Sequence, residues 1–291
     1  MRLALTLLAC LLASPAAHAW GDDGHRIVGQ IAWDSLTPTA REAVSALLPP
    51  GDFDTLADAA TWADVYARTD PAYAWANPRH YVGTAPGSEH VTATDANCAD
   101  DGAHGPACVV GAIGHFAARL NDPALSHDDH VEALRFLAHF VGDLHMPLHT
   151  FHLDGRGGTL TPVTYRHGDP KSIHLVWDVD LIATQLAALP GAGPTWTDLA
   201  ARLEVDLEVR GQSTDAWRPD LQGSDLRGAV TAAALGWADE SYALAGRDDL
   251  FGFGGDAALP RRYDRLTRPF VDVRLQQAGV RLAAILNTIF R

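Results

Sequence analysis

The stretch LAHFVGDLHMPLHT, residues 137–150, sets three histidines and one aspartate among apolar residues. Read as a helix, it points His139 and Asp143, four apart, from one face, so both could hold one cation. Pro147 ends that helix or bends the chain, which lets His149 be aimed in a different direction. His145 lies six residues from His139, about 240° round a helix at 100° per residue, which favours packing or support over ligation of the same ion. A second such pair, His174 and Asp178, closes IHLVWD after a Gly-rich loop. It offers two ligands to an ion that takes about four, and His149 could be the third. Upstream, Asp64 sits in ATWADV, on a mostly apolar helix where a buried carboxylate needs a partner. His80 follows in PRHYV, and His25 stands in WGDDGHRIVG. Taken singly, Asp64 reads better as an ordinary helix aspartate and His80 as a packed histidine. His90, His104, His115, His127, His130, His152 and His167 lie mostly in polar loops or on helix surfaces without a matching carboxylate; His152 is close enough to the site to be a decoy.

Helical signals dominate the elements that must position these groups. Thr37-Pro38 reads as an N-cap with proline at the first helical position, opening a helix to about Leu48. Thr55 can cap TLADAATWADVYAR, and ACVVGAIGHFAARL is amphipathic. A helix beginning near Asp128 reaches Gly142. TDLAARLEVDLEVR, RGAVTAAALGWADESYALA and FVDVRLQQAGVRLAAILNTIF complete the set. Strand-like alternation is scarce; VTYRH, 163–167, is the best candidate, as part of a short hairpin after GRGG. The long loops at 83–106 and 152–172 fit functional segments. The pattern predicts an all-α, multi-helix domain over residues 20–291, with a short β-hairpin possible in a loop.

Residues 1–19, MRLALTLLACLLASPAAHA, read as a signal peptide with a small-x-small cleavage pattern at Ala17-His18-Ala19. Cleavage there would make Trp20 the first residue and the protein secreted or periplasmic. The rival reading, lipoprotein processing at Cys10, is disfavoured by the short apolar run before it. Two mature cysteines remain, Cys98 and Cys108, and an oxidising compartment would join them as a staple of a loop rich in Asp, Gly and Ala. No transmembrane segment and no stable protein partner are implied, and a monomer is expected. The formal net charge is −14, which excludes a basic footprint for duplex nucleic acid.

The start WGDDGH, then WAD, RHY, HFVGDLHMPLH and HLVWD, occur in one order at one set of spacings. Together with WADESYALAG and LQQAGVRLAAILN they resemble the zinc-dependent single-strand nucleases of the S1/P1 type, also called nuclease/3′-nucleotidases. The resemblance covers essentially the whole chain after residue 19. It implies a mostly helical fold with three Zn²⁺ ions in a cleft. One ion would take Asp64, His80, His139 and Asp143. A neighbour would take the amino and carbonyl groups of Trp20, with His25 and Asp143, so that Asp143 bridges the two. The third would take His149, His174 and Asp178. A free amino terminus can ligate zinc once deprotonated, and its ordinary pKa of roughly 8 makes that feasible. The implied chemistry is hydrolysis of single-stranded DNA and RNA, through a metal-activated hydroxide that Asp64 helps to orient. Three such ions would add about +6 locally, which reconciles an acidic chain with a polyanionic substrate.

The shell beyond the ligands departs from the family pattern. An arginine three residues after the WAD aspartate is replaced by Ala67, with Arg68 next. Arg68 reads either as a phosphate contact reached by a local shift or as a surface arginine. Tyr81 stands where an aromatic stacks on the base, and Gly83 where an aspartate reads it. Gly-Gly-Asn near the cleft becomes Gly157-Gly158-Thr159, which makes Thr159 a substrate-binding candidate, and Met146 replaces a glutamine. A related zinc phospholipase C family has Glu where this chain has Asp178, which favours the nuclease. Phospholipase C activity, or zinc binding with decayed activity, are the alternatives.

Overall fold

The computed structural model describes residues 20–51, 53–94, 96–209 and 214–291. The expected signal peptide, its cleavage site and Cys10 lie outside the described residues. The chain opens with helices α1 (Gly21–Asp34), α2 (Pro38–Leu47) and α3 (Leu56–Ala59), then a wide π turn, Ala63–Ala67, and a 3₁₀ run, Pro71–His80. Helices α4 (Val109–Leu120) and α5 (His127–Leu144) follow, and a 3₁₀ turn, Pro147–His149. Strands β1 (Pro162–Thr164) and β2 (Lys171–Ser172) lead into α6 (Ile173–Leu175), a second π turn, Val176–Asp180, and α7 (Leu181–Ala187). Helices α8 (Trp196–Val209), α9 (Leu226–Ala245) and α10 (Asp248–Phe251), strand β3 (Ala257–Ala258) and α11 (Tyr263–Ile289) complete the mostly helical fold.

Local chemistry sets most boundaries. The Thr37 hydroxyl accepts from the Ala40 amide at 3.2 Å, and that of Thr55 from Asp58 at 3.0 Å. The helix capped by Thr55 does not run on to Arg68, as its sequence pattern predicts, but stops at Ala59. There the Thr61 hydroxyl donates to the Asp58 carbonyl, a local bond that competes with the helical ladder. The π turn that follows carries Asp64 inward. The expected hairpin forms as β1 pairs antiparallel with β2, while β3 adds to β1 in parallel, a partner from far along the chain. Helix α11 begins before Pro269, where the sequence pattern starts it only after that proline. Its first residue, Tyr263, is buried, accepts from Trp177 Nε1 at 2.8 Å and donates to the Leu250 carbonyl at 2.6 Å, so packing holds the extra turns. The Cys98–Cys108 disulfide forms as expected, and Cys108 caps α4.

Helix α5 is the centre of the core. Ser126 and Asp129 form a reciprocal capping box at its start. From Phe136 to Thr150 every residue is buried. A segment buried on all sides is ordinarily apolar, so His139, Asp143 and His145 within it each need a partner. His145 has two protein partners: its Nδ1 donates to the Val141 carbonyl at 2.7 Å, and its Nε2 accepts from Arg281 at 2.8 Å. Glu240 of α9 grips both Arg274 and Arg281 of α11, and Ser241 donates to the Leu144 carbonyl at 2.6 Å. This brace fixes the end of α5 directly after Asp143. No helix among the described residues is long and apolar enough to cross a membrane.

Candidate metal centre

Asp143 is fully buried and faced by imidazoles from several elements. Its Oδ2 lies 2.9 Å from His80 Nδ1, at the end of the 3₁₀ run, and 3.3 Å from His139 Nε2, one turn back on α5. Those two nitrogens are themselves 3.1 Å apart, and Asp64 Oδ1 is 3.8 Å from each. The other oxygen, Oδ1, lies 3.5 Å from His25 Nε2 on α1. The two carboxylate oxygens thus face different imidazoles, Oδ2 those of His80 and His139 and Oδ1 that of His25. A further group, His149, His174 and Asp178, converges nearby, with His174 Nε2 3.1 Å from Asp178 Oδ2. Pro147 does turn the chain, and the 3₁₀ turn it opens carries His149.

The imidazoles are oriented from behind. His139 Nδ1 donates to the Ala60 carbonyl at 2.8 Å, His149 Nδ1 to that of His80 at 2.6 Å, and His174 Nδ1 to that of Gly157 at 2.7 Å. Each leaves the Nε2 lone pair turned inward, the arrangement that supports metal-ligating histidines. Protons distribute unevenly over this cluster. Burial opposes charge on His139, yet Asp143 and Asp64 outweigh it and raise its pKa. Burial also opposes ionisation of Asp143, but His139 and the other imidazoles hold its carboxyl well below the usual range. Burial pushes His149 down to about 3 and Asp178 up to about 6, with His174 acting against the latter shift. Both oxygens of Asp178 and both ring nitrogens of His25 are buried without a hydrogen bond among the described residues. Neutral imidazoles and ionised carboxylates are the ligating forms, so a divalent cation fits this donor set and satisfies its orphaned atoms.

Trp20 is fully buried at the head of α1, where its backbone has a positive φ of 27°. A side chain on the next residue, Gly21, would come within 3.3 Å of the Asp178 carbonyl, so the start of α1 abuts the group of His149, His174 and Asp178. Arg68 lies 2.6 Å from Asp64 Oδ1 and lines a cavity of about 550 Å³ beside the ligands. Tyr81, half exposed, and Thr159 line the same cavity, as do His80, His149 and His174. The cavity also gathers Asn77, Phe151, His152 and Arg156, which sequence reasoning did not single out as substrate contacts. His152 packs so closely on Gly83 that a Cβ there would lie 1.4 Å from its Nε2, so the imidazole fills the space of the missing side chain. Buried Met146 puts its thioether, a weak acceptor, 3.0 Å from the Leu148 amide. His90 and His104 do have carboxylate partners, Asp239 at 3.2 Å and Asp101 at 3.3 Å, but these pairs are exposed and isolated from the cluster.

A helical scaffold with a buried His/Asp cluster that could hold metal, beside a cleft, fits a metal-dependent hydrolase. The S1/P1 nuclease profile matches residues 20–291, and the chain belongs to that family. It is 32% identical to Endonuclease 2 of Arabidopsis thaliana over 96% of this chain and 93% of that one. It is 30% identical to Nuclease P1 of Penicillium citrinum, covering 93% and 97% of the two chains. Nuclease S1 of Aspergillus oryzae is 26% identical over 97% and 95%.

Proposed function

We propose that the protein is a secreted or periplasmic zinc nuclease that cleaves single-stranded DNA and RNA, with 3′-nucleotidase activity, acting as one domain and as a monomer. The observation that carries the reading is the ligand geometry around Asp143. Five of the six edges among Asp64, His80, His139 and Asp143, at 2.9, 3.1, 3.3, 3.8 and 3.8 Å, scatter about the roughly 3.3 Å edge of a tetrahedron with corners 2.0–2.1 Å from its centre. Small tetrahedral sites of nitrogen and oxygen donors favour zinc. Asp64, His80, His139 and Asp143 would hold one ion; Trp20, His25 and Asp143 a second; His149, His174 and Asp178 a third. When bound, the ions supply Lewis-acid polarisation of the phosphoryl oxygens and a nucleophile drawn from water near neutral pH.

The chain's own residues divide the remaining work. Asp64 accepts a hydrogen bond from the attacking water and aligns it with phosphorus. Arg68, held against Asp64, sits where it can neutralise charge on the phosphoryl oxygens. Tyr81 offers an exposed aromatic face to one base, and Thr159 a hydroxyl to the sugar-phosphate. A cavity of about 550 Å³ suits one unpaired nucleotide, and a base inside a duplex would have to leave its stack to enter.

The test is turnover of single-stranded DNA, duplex DNA, RNA, a 3′-nucleotide and phosphatidylcholine, with and without chelator, alongside elemental analysis. Cleavage of single strands that stops with chelator and returns with Zn²⁺ is expected, at three zincs per chain. Turnover of the lipid alone would reject the nuclease. Three bound zincs without any turnover would mean decayed activity. A tag left uncleaved before Trp20 should remove most activity and one zinc, and full activity with the tag would reject the N-terminal ligand.

A further inference from the structure

We propose that a cavity of about 270 Å³ between α7 and the start of α11 is a second anion site, which holds an internucleotide phosphate of the strand outside the metal cleft. The proposal rests on the nuclease reading above. Arg166, Arg265 and Arg268 line this cavity, against one lining carboxylate, Asp264. In a chain of formal net charge −14, that is a local reversal of sign. The one carboxylate is engaged already: it accepts from the Tyr165 hydroxyl, and Arg166 Nε lies 3.6 Å away. Arg268 is 3.7 Å from Asp272, whose two oxygens each accept from Arg202 at 2.9 Å. The side chains of Arg166 and Arg268 remain 58% and 51% exposed, so both cations are open to a ligand from solvent.

A second observation points to that ligand. Gln185 lines the cavity and is only 8% exposed. Its Oε1 accepts from Arg202 at 2.9 Å, which fixes the amide so that Nε2 is the remaining donor. That Nε2 is buried and has no acceptor among the described residues. A buried N–H beside several guanidinium groups calls for an oxygen acceptor with negative charge. The non-bridging oxygens of a phosphate match both the donor and the planar forks of arginine. The proposed activity supplies the phosphate: a strand held in the cleft carries further phosphates beyond it, and Thr184 on this wall lies six residues after Asp178, on the helix that follows its turn.

The experiment compares wild type with the double variant Arg265→Ser/Arg268→Ser and with Gln185→Leu, all loaded with zinc. Kinetics on a twelve-nucleotide single strand and on a dinucleotide are measured across a salt series. Loss of one or two arginine contacts in the double variant should raise the long strand's KM about three-fold or more at low salt and flatten its log–log salt dependence by about 0.7 per lost cation, whereas Gln185→Leu, which removes no charge, should raise KM and leave the slope. The long strand's kcat, and both constants for the dinucleotide, should not change. Equal loss on both substrates would reveal a structural effect and overturn the proposal, as would unchanged KM and slope. Anisotropy of a labelled strand with hydrolysis-resistant linkages reads the same contact without turnover. An inactive wild type would therefore sink the nuclease reading alone, and equal anisotropy in all three proteins would sink the site. Titration with inorganic phosphate separates the two sources of this chemistry. A phosphate-binding step lost in Gln185→Leu while strand binding is unchanged would assign the cavity to free phosphate and overturn the strand assignment.

Discussion

Asp143 and His145 stand two residues apart on a segment with no exposed member, yet they answer to different partners. Asp143 faces His25, His80 and His139, groups that could hold a cation between them. His145 is closed within protein: burial, then Arg274 and Arg281, hold its pKa well below the usual value, and the neutral ring bridges Val141 to Arg281. Asp143→Asn should therefore lose the two adjacent ions, read by elemental analysis. His145→Ala should keep its full metal complement but lower stability by about 2 kcal/mol, because Arg281 loses a buried acceptor. Metal loss in His145→Ala, or retention in Asp143→Asn, would reverse these roles. The two His-x-x-x-Asp pairs were legible because their spacing is local, whereas Asp64, His80 and His25 gained meaning only from the resemblance. His152 and Arg156 were not legible: their place in the cleft depends on the fold of the 152–172 loop, and no local period encodes it. Arg68 was legible only as a choice between phosphate contact and surface; it lies against Asp64 and lines the cleft.

At the scale of elements, α1 must reach two neighbours closely for the cluster to assemble. It carries His25, and it packs against α3, whose following residue Ala60 orients His139. The contact is made through Gly29, where a Cβ would come 2.6 Å from the Leu56 carbonyl and 2.7 Å from Ala57 Cα. Both are backbone atoms, so no rotamer change can relieve the overlap. Gly29→Ala should destabilise the protein by about 1–3 kcal/mol, read as a lower urea midpoint. It should also weaken metal binding, because α3 leads to Asp64; unchanged stability and affinity would mean that the helices do not meet this closely. Helices with strong caps, such as α2, were legible from Thr37 and Pro38. The stop at Ala59, β3 and the early start of α11 were not, because Thr61, the pairing of Val163 with Ala257, and burial of Tyr263 are settled by contacts rather than by propensity.

For the whole molecule, the metal cluster and the surface charge act on stability at different pH. Asp64, Asp143 and Asp178 are buried with histidines, so ions that bind only the folded chain should stabilise it, and chelation should lower Tm. An unchanged Tm after verified metal removal would contradict that linkage. A separate contribution comes from Glu204 on α8, which lies beside Asp34 at the end of α1. Burial, then repulsion by Asp34 and a hydrogen bond that the protonated Glu204 donates to it, push its carboxyl up to about 7 from an ordinary 4.5. Between those values the folded chain keeps a proton that the unfolded chain releases. Stability must therefore fall as pH rises through this window and level off above it. Glu204→Gln keeps the neutral form at every pH and removes the slope. The group is partly solvated, so the gain above pH 7 should stay below about 1 kcal/mol. Urea midpoints of wild type and variant, both saturated with metal, should coincide near pH 4.5 and separate toward pH 8, with the variant higher. The difference cancels the titration of the metal ligands, which both proteins share. Parallel profiles across that range would show that Glu204 ionises normally in the folded protein.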